Sequence, residues 1–182
     1  MLDETAAALA RAFVANPLHV AAFGPGRLDR NRAFFRIGLG LMGGTKLVLF
    51  DDVHVRGFVH WIDAPSCRTA PWSKLVTLPR LAAAVGPGAA WRVVTWLTEW
   101  ERHDPSAPHV HLGPIGVDPA AQRRGLGQVL MRHYCERLDR DRVTGYLETD
   151  RPENVRFYER FGFQTEKEID VLGVRNFLMR RG

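Results

Sequence analysis

The stretch from Asp118 to Leu130 reads DPAAQRRGLGQVL, and its chemistry lies in Gln122, Arg123, Arg124, Gly125, Leu126, Gly127 and Gln128. An apolar run ends just before it and an amphipathic run begins inside it, so the two glycines fall between a strand and a helix mouth. Unpaired backbone N–H groups and the helix dipole concentrate positive charge at such a place. Gly125 and Gly127 let the backbone approach an anion with no Cβ in the way, and Arg123 and Arg124 add long cationic side chains. The stretch reads as a pyrophosphate cradle, with a plain tight turn as the competing reading. It is not a Walker loop, because no Gly-Lys-Ser or Gly-Lys-Thr follows and GGTK at Gly43 to Lys46 has the wrong order. The spacing of a dinucleotide-binding Rossmann turn fails as well.

A second set of residues could move protons. His109, His111, Gly113, Ile115 and Val117 alternate along HVHLGPIGV, which predicts that one side of a regular strand carries all five. An imidazole with a pKa of about 6.5 can take an ammonium proton directly or through water, so His111 is a candidate base; a surface or satisfied core histidine competes with that reading. As a metal pair, His109 and His111 lack a third ligand, with no carboxylate or cysteine set at a ligating spacing, so no metal is expected. His54 and His60 share one face of a hairpin strand and are expected to face solvent. Asn154, Phe157, Tyr158 and Phe161 recur at spacings of three and four, which puts an amide, a phenol and two rings on one helix face.

The elements that must position these groups follow from periodicity. Leu2, Ala6, Leu9 and Phe13 predict a first helix ending before Pro17, and Asp29 starts a second that runs to about Leu41. Lys46 to Phe50 and Val53 to Ile62 read as a hairpin. From Pro65 to Pro87 the pattern is irregular, with a helix suggested by Leu75, Leu78, Leu81 and Val85 but interrupted at Pro79. Ala89 to Arg102 is a better helix. The strand His109 to Val117, the helix Leu126 to Leu138 and the strand Val143 to Thr149 form a crossover unit, which implies parallel pairing. Pro152 starts a short helix that Gly162 ends, and Phe163 to Val171 pairs with Val174 to Arg181.

The 182 residues suit one domain with a sizeable core, and 46% hydrophobic with 25% charged residues is ordinary globular composition. No apolar run approaches the roughly 20 residues of a bilayer span, and acids stand where a signal peptide carries bases, which predicts a cytoplasmic protein without a membrane partner. Cys67 and Cys135 are expected to be reduced thiols and not nucleophiles. A net charge of +5 and a pI near 9.8 suit a polyanionic partner. Charge alone does not choose among nucleic acid, a membrane surface and a phosphorylated cofactor, and nucleic acid is only weakly signalled, since the arginines are dispersed and not interleaved with aromatics.

Gln122-Arg123-Arg124-Gly125-Leu126-Gly127 after IGVDP, followed by YLETDRPENVRFYERFGF from Tyr146 to Phe163, resembles the GCN5-related N-acetyltransferase (GNAT) family. The resemblance is strongest over residues 108–182, and the first half is most similar to the puromycin N-acetyltransferase type. It implies a single α/β domain of the α+β kind, with helices on both faces of a mixed central sheet splayed between its fourth and fifth strands. Residues 108–182 would form the cofactor-binding core, and residues 1–107, helices and a hairpin, the acceptor side. Family members open on a strand, whereas this chain opens on a helix, so the sheet is expected to lack an edge strand.

What the resemblance implies is transfer of an acetyl group from acetyl-CoA to a primary amine of a small molecule. Ile115, Gly116 and Val117, the loop Gln122 to Gln128, and Asn154, Phe157 and Tyr158 would bind the cofactor. The Val117 N–H would polarise the thioester carbonyl. Tyr158 matches the family's general acid for the CoA thiolate. For the base, His111 competes with Glu148 and with Glu99 or Glu101; the similar arylalkylamine acetyltransferases also carry histidines on this strand. Trp72, Trp91, Trp96 and Trp100 would line the acceptor side or fill core. A CoA-binding sensor without turnover and a protein amine as acceptor remain alternatives, and a homodimer is left open.

Overall fold

Leu9, Phe35 and Phe58 bury one face of a sheet, and Trp61, Leu130 and Met179 bury the other, so helices must cover both. The computed structural model describes residues 1–67 and 71–182, except for the side chains of residues 71–76. In chain order the elements are α1 (Leu2–Phe13), α2 (Pro17–Phe23), α3 (Leu28–Leu41), β1 (Thr45–Asp51), β2 (His54–Asp63), α4 (Pro71–Val85) and α5 (Pro87–His103). They continue with β3 (Val110–Val117), α6 (Leu126–Asp141), β4 (Gly145–Thr149), α7 (Pro152–Glu159), β5 (Gln164–Val171) and β6 (Val174–Arg181). The strands form one sheet in the order β1-β2-β3-β4-β6-β5. Only β3 and β4 run parallel, and they pair at just Val110 with Gly145 and His111 with Tyr146. Beyond those two positions the strands part, which gives the splayed mixed sheet of a single α/β domain.

The first helix ends at Phe13, before Pro17 as expected, but a second helix follows at once and the expected interruption at Pro79 is absent. Pro17 occupies the first turn of α2, where its missing N–H costs nothing. Pro79 lies inside a continuous α4. Leu78, Leu81, Ala82 and Val85 pack against α2 and α5 there, and this burial outweighs the hydrogen bond that the proline removes.

The same helical layer buries His19, which periodicity did not single out. Its ring lies among Phe13, Phe23, Phe34, Phe35 and Trp96, and Nδ1–H donates to Asn31 Oδ1 at 2.6 Å. Burial pulls its pKa down to about 4, against the Asn31 hydrogen bond, which raises it. A folded pKa below the unfolded value of 6.5 means that the unfolded chain binds the extra proton first. His19 therefore leaves stability intact above pH 6.5 and costs about 3 kcal/mol as the pH falls to 4. Urea unfolding of His19→Gln should show a shallower loss over that window than the parent protein. Parallel curves would show that His19 is not the titrating group.

Candidate active site

The glycine turn is built from the end of β3. Asp118 Oδ1 accepts the Ala120 N–H at 3.0 Å, and Oδ2 accepts Arg11 Nε–H at 2.9 Å, with Arg11 Nη2 closing the pair. Burial works to raise this carboxyl's pKa, but Arg11 and the Ala120 amide hold it below the usual carboxylate range. The chain end of β3 is thus clamped to α1. Arg123 and Gly125 then take left-handed conformations, φ 62° and 80°. Among the described residues, the amides of Arg123 to Gly127 donate to no backbone carbonyl. A nest of outward amides at the mouth of the 16-residue α6 is what an anion needs. Gly125 is required by its φ; Gly127 is not, since a Cβ there would meet Phe157 and Val117 at ordinary contact distances of 3.7 and 3.9 Å. Nothing inside the protein demands that second glycine.

Across from the turn, Phe157 and Tyr158 of α7 stack edge-on against each other, and Tyr158 is buried against Phe163. Burial first, and the charge of Asp150 second, push the Tyr158 phenol above its ordinary 10, so it stays protonated at neutral pH. Asn154 Nδ2 donates to Thr149 Oγ1 at 3.3 Å, tying α7 to the end of β4. Asp150, which the sequence reading passed over, accepts the Leu18 N–H at 2.7 Å and so anchors the start of α2 beside this site.

The gap between β3 and β4 lies between these parts. Asp118 N donates to Arg56 O, so the neighbouring Val117–Gly57 pair is a non-hydrogen-bonded one. That alternation turns the Val117 N–H away from β2, toward the gap.

The histidines correct the predicted alternation. Trp61 pairs with Leu112 but Val59 pairs with Ile115, so β3 carries an extra residue at Gly113–Pro114. The bulge brings Ile115 and Val117 onto the face of Leu112 and α6, while His109 and His111 face the other way, toward α5. Gly113 is required there, because a Cβ would run into the His60 ring. His60 itself is buried, donating Nε2–H to Gly43 O at 2.7 Å, and does not face solvent as its hairpin position suggested.

On that second face, His111 spans two carboxylates. Nδ1 lies 3.1 Å from Asp104 Oδ1, and Nε2 lies 2.9 Å from Glu148 Oε2, which bridges the parting strands. Burial works against its charge, but Glu148, Asp104 and Cys67 outweigh it and hold the imidazole well above its ordinary pKa. Glu148 is almost fully buried, and its Oε1 has no hydrogen-bond partner among the described residues. His109 Nε2 also reaches Asp104 Oδ1, at 3.2 Å, and Cys67 Sγ sits 3.6 Å from Asp104 Oδ2. The carboxylate and the cysteine that the sequence reading did not find are thus supplied by Asp104, five residues before His109, and by Cys67, forty-two residues before it.

Of the rival acids, Glu99 is engaged by Arg102 at 2.8 Å and His103 at 3.3 Å, and Glu101 has interactions of its own. Trp96 is core, Trp91 is exposed, and Trp100 Nε1 donates to Asn176 Oδ1 at 3.2 Å. The Trp72 side chain lies outside the described residues.

Residues 83–163 match the acetyltransferase (GNAT) family model. That segment runs from the end of α4 through the glycine turn and α7 to the start of β5. Solved structures of proteins named acetyltransferases share the fold over nearly the whole chain. A structure described as histone acetyltransferase HPA2 and related acetyltransferase, from Corynebacterium glutamicum, aligns with a TM-score of 0.71 at 22% identity, over 99% of this chain and 90% of that one. Arylalkylamine N-acetyltransferase 2 from Aedes aegypti aligns with a TM-score of 0.66 at 14% identity, over 99% and 93%. At such identities the likeness speaks for the fold.

Curated relatives are named mycothiol acetyltransferase. The one from Gordonia bronchialis is 39% identical over 66 residues, 35% of this chain and 21% of that protein. The one from Mycobacteroides abscessus is 46% identical over 52 residues, 27% and 18%. The chain spans about a fifth of the length of these relatives. The finer likeness to the puromycin N-acetyltransferase type gains no support from them. The matched family model and the curated relatives are acetyltransferases, and the likeness to them is confined to part of the chain. No single helix among the described residues is long and apolar enough to cross a membrane.

Proposed function

We propose that the protein transfers an acetyl group from acetyl-CoA directly to a primary amine of a small molecule. The observation that carries this reading is the run of uncommitted amides from Arg123 to Gly127, set beside a gap in the sheet with a protonated tyrosine across from it. Those amides and the two arginines hold the pyrophosphate, with Ile115, Gly116, Gln122, Leu126, Gln128, Asn154 and Phe157 lining the cofactor's path. Residues 108–182 serve as the cofactor half and residues 1–107 as the acceptor half.

The gap joins the two faces, so the thioester enters from the α6 side and the amine from the α5 side. Glu148 takes the first ammonium proton. His111 cannot do so as it stands, since both of its nitrogens are directed at carboxylates, whereas Glu148 keeps a spare oxygen. His111 is therefore a positioning residue for Glu148. The free amine attacks the thioester carbonyl, whose developing oxyanion is met by the Val117 N–H. As the C–S bond breaks, Tyr158 protonates the CoA thiolate, and the second nitrogen proton restores the phenol. The products are the amide, free CoA and one released proton.

A thiol-release assay with acetyl-CoA against a panel of small primary amines tests this reading. Amine-dependent release by the intact chain is expected. Release only with peptide or protein amines would move the acceptor class, and binding without release would favour a CoA sensor.

A further inference from the structure

The cluster on the α5 face has four candidate ligand atoms: Cys67 Sγ, Asp104 Oδ1, His109 Nε2 and His111 Nδ1. All lie within 4.8 Å of one another. They come from the segment after β2, the end of α5 and the start of β3, so three separate parts of the fold converge on one point.

Their spacing is that of a small tetrahedral shell. Zinc bonds of about 2.0–2.3 Å place nitrogen and oxygen ligands about 3.3 Å apart, and sulfur about 3.6 Å from either. Here the nitrogens stand 3.2 and 3.1 Å from Asp104 Oδ1, and Cys67 Sγ stands 3.8 Å from both Asp104 Oδ1 and His109 Nε2. The far side of each ring is already fixed. His109 Nδ1 faces Ala107 O at 2.9 Å, and His111 Nε2 faces Glu148 Oε2 at 2.9 Å. With those nitrogens carrying the protons, the lone pairs of His109 Nε2 and His111 Nδ1 point into the cluster, the arrangement that orients histidine ligands in metal sites.

We propose that Cys67, Asp104, His109 and His111 form a structural site for a divalent ion of zinc type. One thiolate, one carboxylate and two imidazoles suit zinc among the common divalent ions. On binding, the ion displaces the Cys67 thiol proton and the proton on His111 Nδ1, both of which go to solvent. The ion ties the segment after β2 to α5 and β3 and locks the His111 ring, whose Nε2–H then holds Glu148 in place. The proposal is independent of the acetyltransferase reading, because the metal is detected without cofactor or turnover.

The test uses the purified full chain, stripped of metal and titrated with Zn²⁺ and with Co²⁺. Expected are one ion per chain, a thiolate-to-cobalt charge-transfer band and the visible bands of tetrahedral cobalt. Cys67→Ser should lose the charge-transfer band, whereas Cys135→Ser keeps it. His109→Gln should weaken binding at least about tenfold. Absence of a cobalt spectrum in the folded parent protein, or a charge-transfer band that survives in Cys67→Ser, overturns the proposal.

Discussion

Replacing Tyr158 with phenylalanine is expected to lower kcat by about 10²-fold or more, with the acetyl-CoA dissociation constant changed by less than about twofold. The ring of Tyr158 packs against Phe157 and Phe163, and phenylalanine keeps those contacts, so the fold and the cofactor path survive. Only the hydroxyl is lost. Burial and Asp150 keep that hydroxyl protonated at neutral pH, which suits an acid that must hand a proton to a departing thiolate. Steady-state kinetics beside a binding titration separate the two quantities. An unchanged kcat would leave Tyr158 a core aromatic and nothing more.

Glu148→Gln should also lower kcat by about 10²-fold or more, and it should raise KM for the amine because the anionic attraction for an ammonium is gone. The substitution preserves size on a strand where Glu148 faces Leu178 of β6, so the sheet register is kept. The informative comparison is with His111→Gln. If Glu148 is the base, Glu148→Gln is the more damaging change, and a more alkaline buffer that deprotonates the free amine restores part of its rate. Full activity in Glu148→Gln together with loss in His111→Gln would transfer the base role to the histidine.

The elements from α6 to α7 were readable because their signals are local. The glycine turn, the crossover helix and Pro152 each act within a few residues of their own position, and the structure places α6, β4 and α7 where periodicity put them. The arrangement around β3 was not, because its decisive features depend on pairing between strands. One extra residue at Gly113–Pro114 reversed the face of Ile115 and Val117 relative to His111, and no alternation pattern registers a bulge whose partner is another strand. Distance along the chain hid Cys67, whereas Asp104 stood close to His109 and was passed over. The two lie forty-two and five residues from His109 and belong to no local motif. Pro79 misled because packing behind α4 carries the helix through it, and α2 was missed because Pro17, which follows the end of α1, also starts a helix.

Calorimetric titration of the purified chain with acetyl-CoA, repeated on Gly125→Val, tests most directly whether the turn after β3 holds the cofactor. The amides of Arg123 to Gly127 should give saturable binding at a single site. Dephospho-CoA should bind there too, because the pyrophosphate is the part held. Valine at a φ of 80° should weaken both titrations at least about tenfold by straining the nest. Absence of binding at millimolar acetyl-CoA, or equal affinity in Gly125→Val, would contradict the assignment of this turn and the transferase built on it.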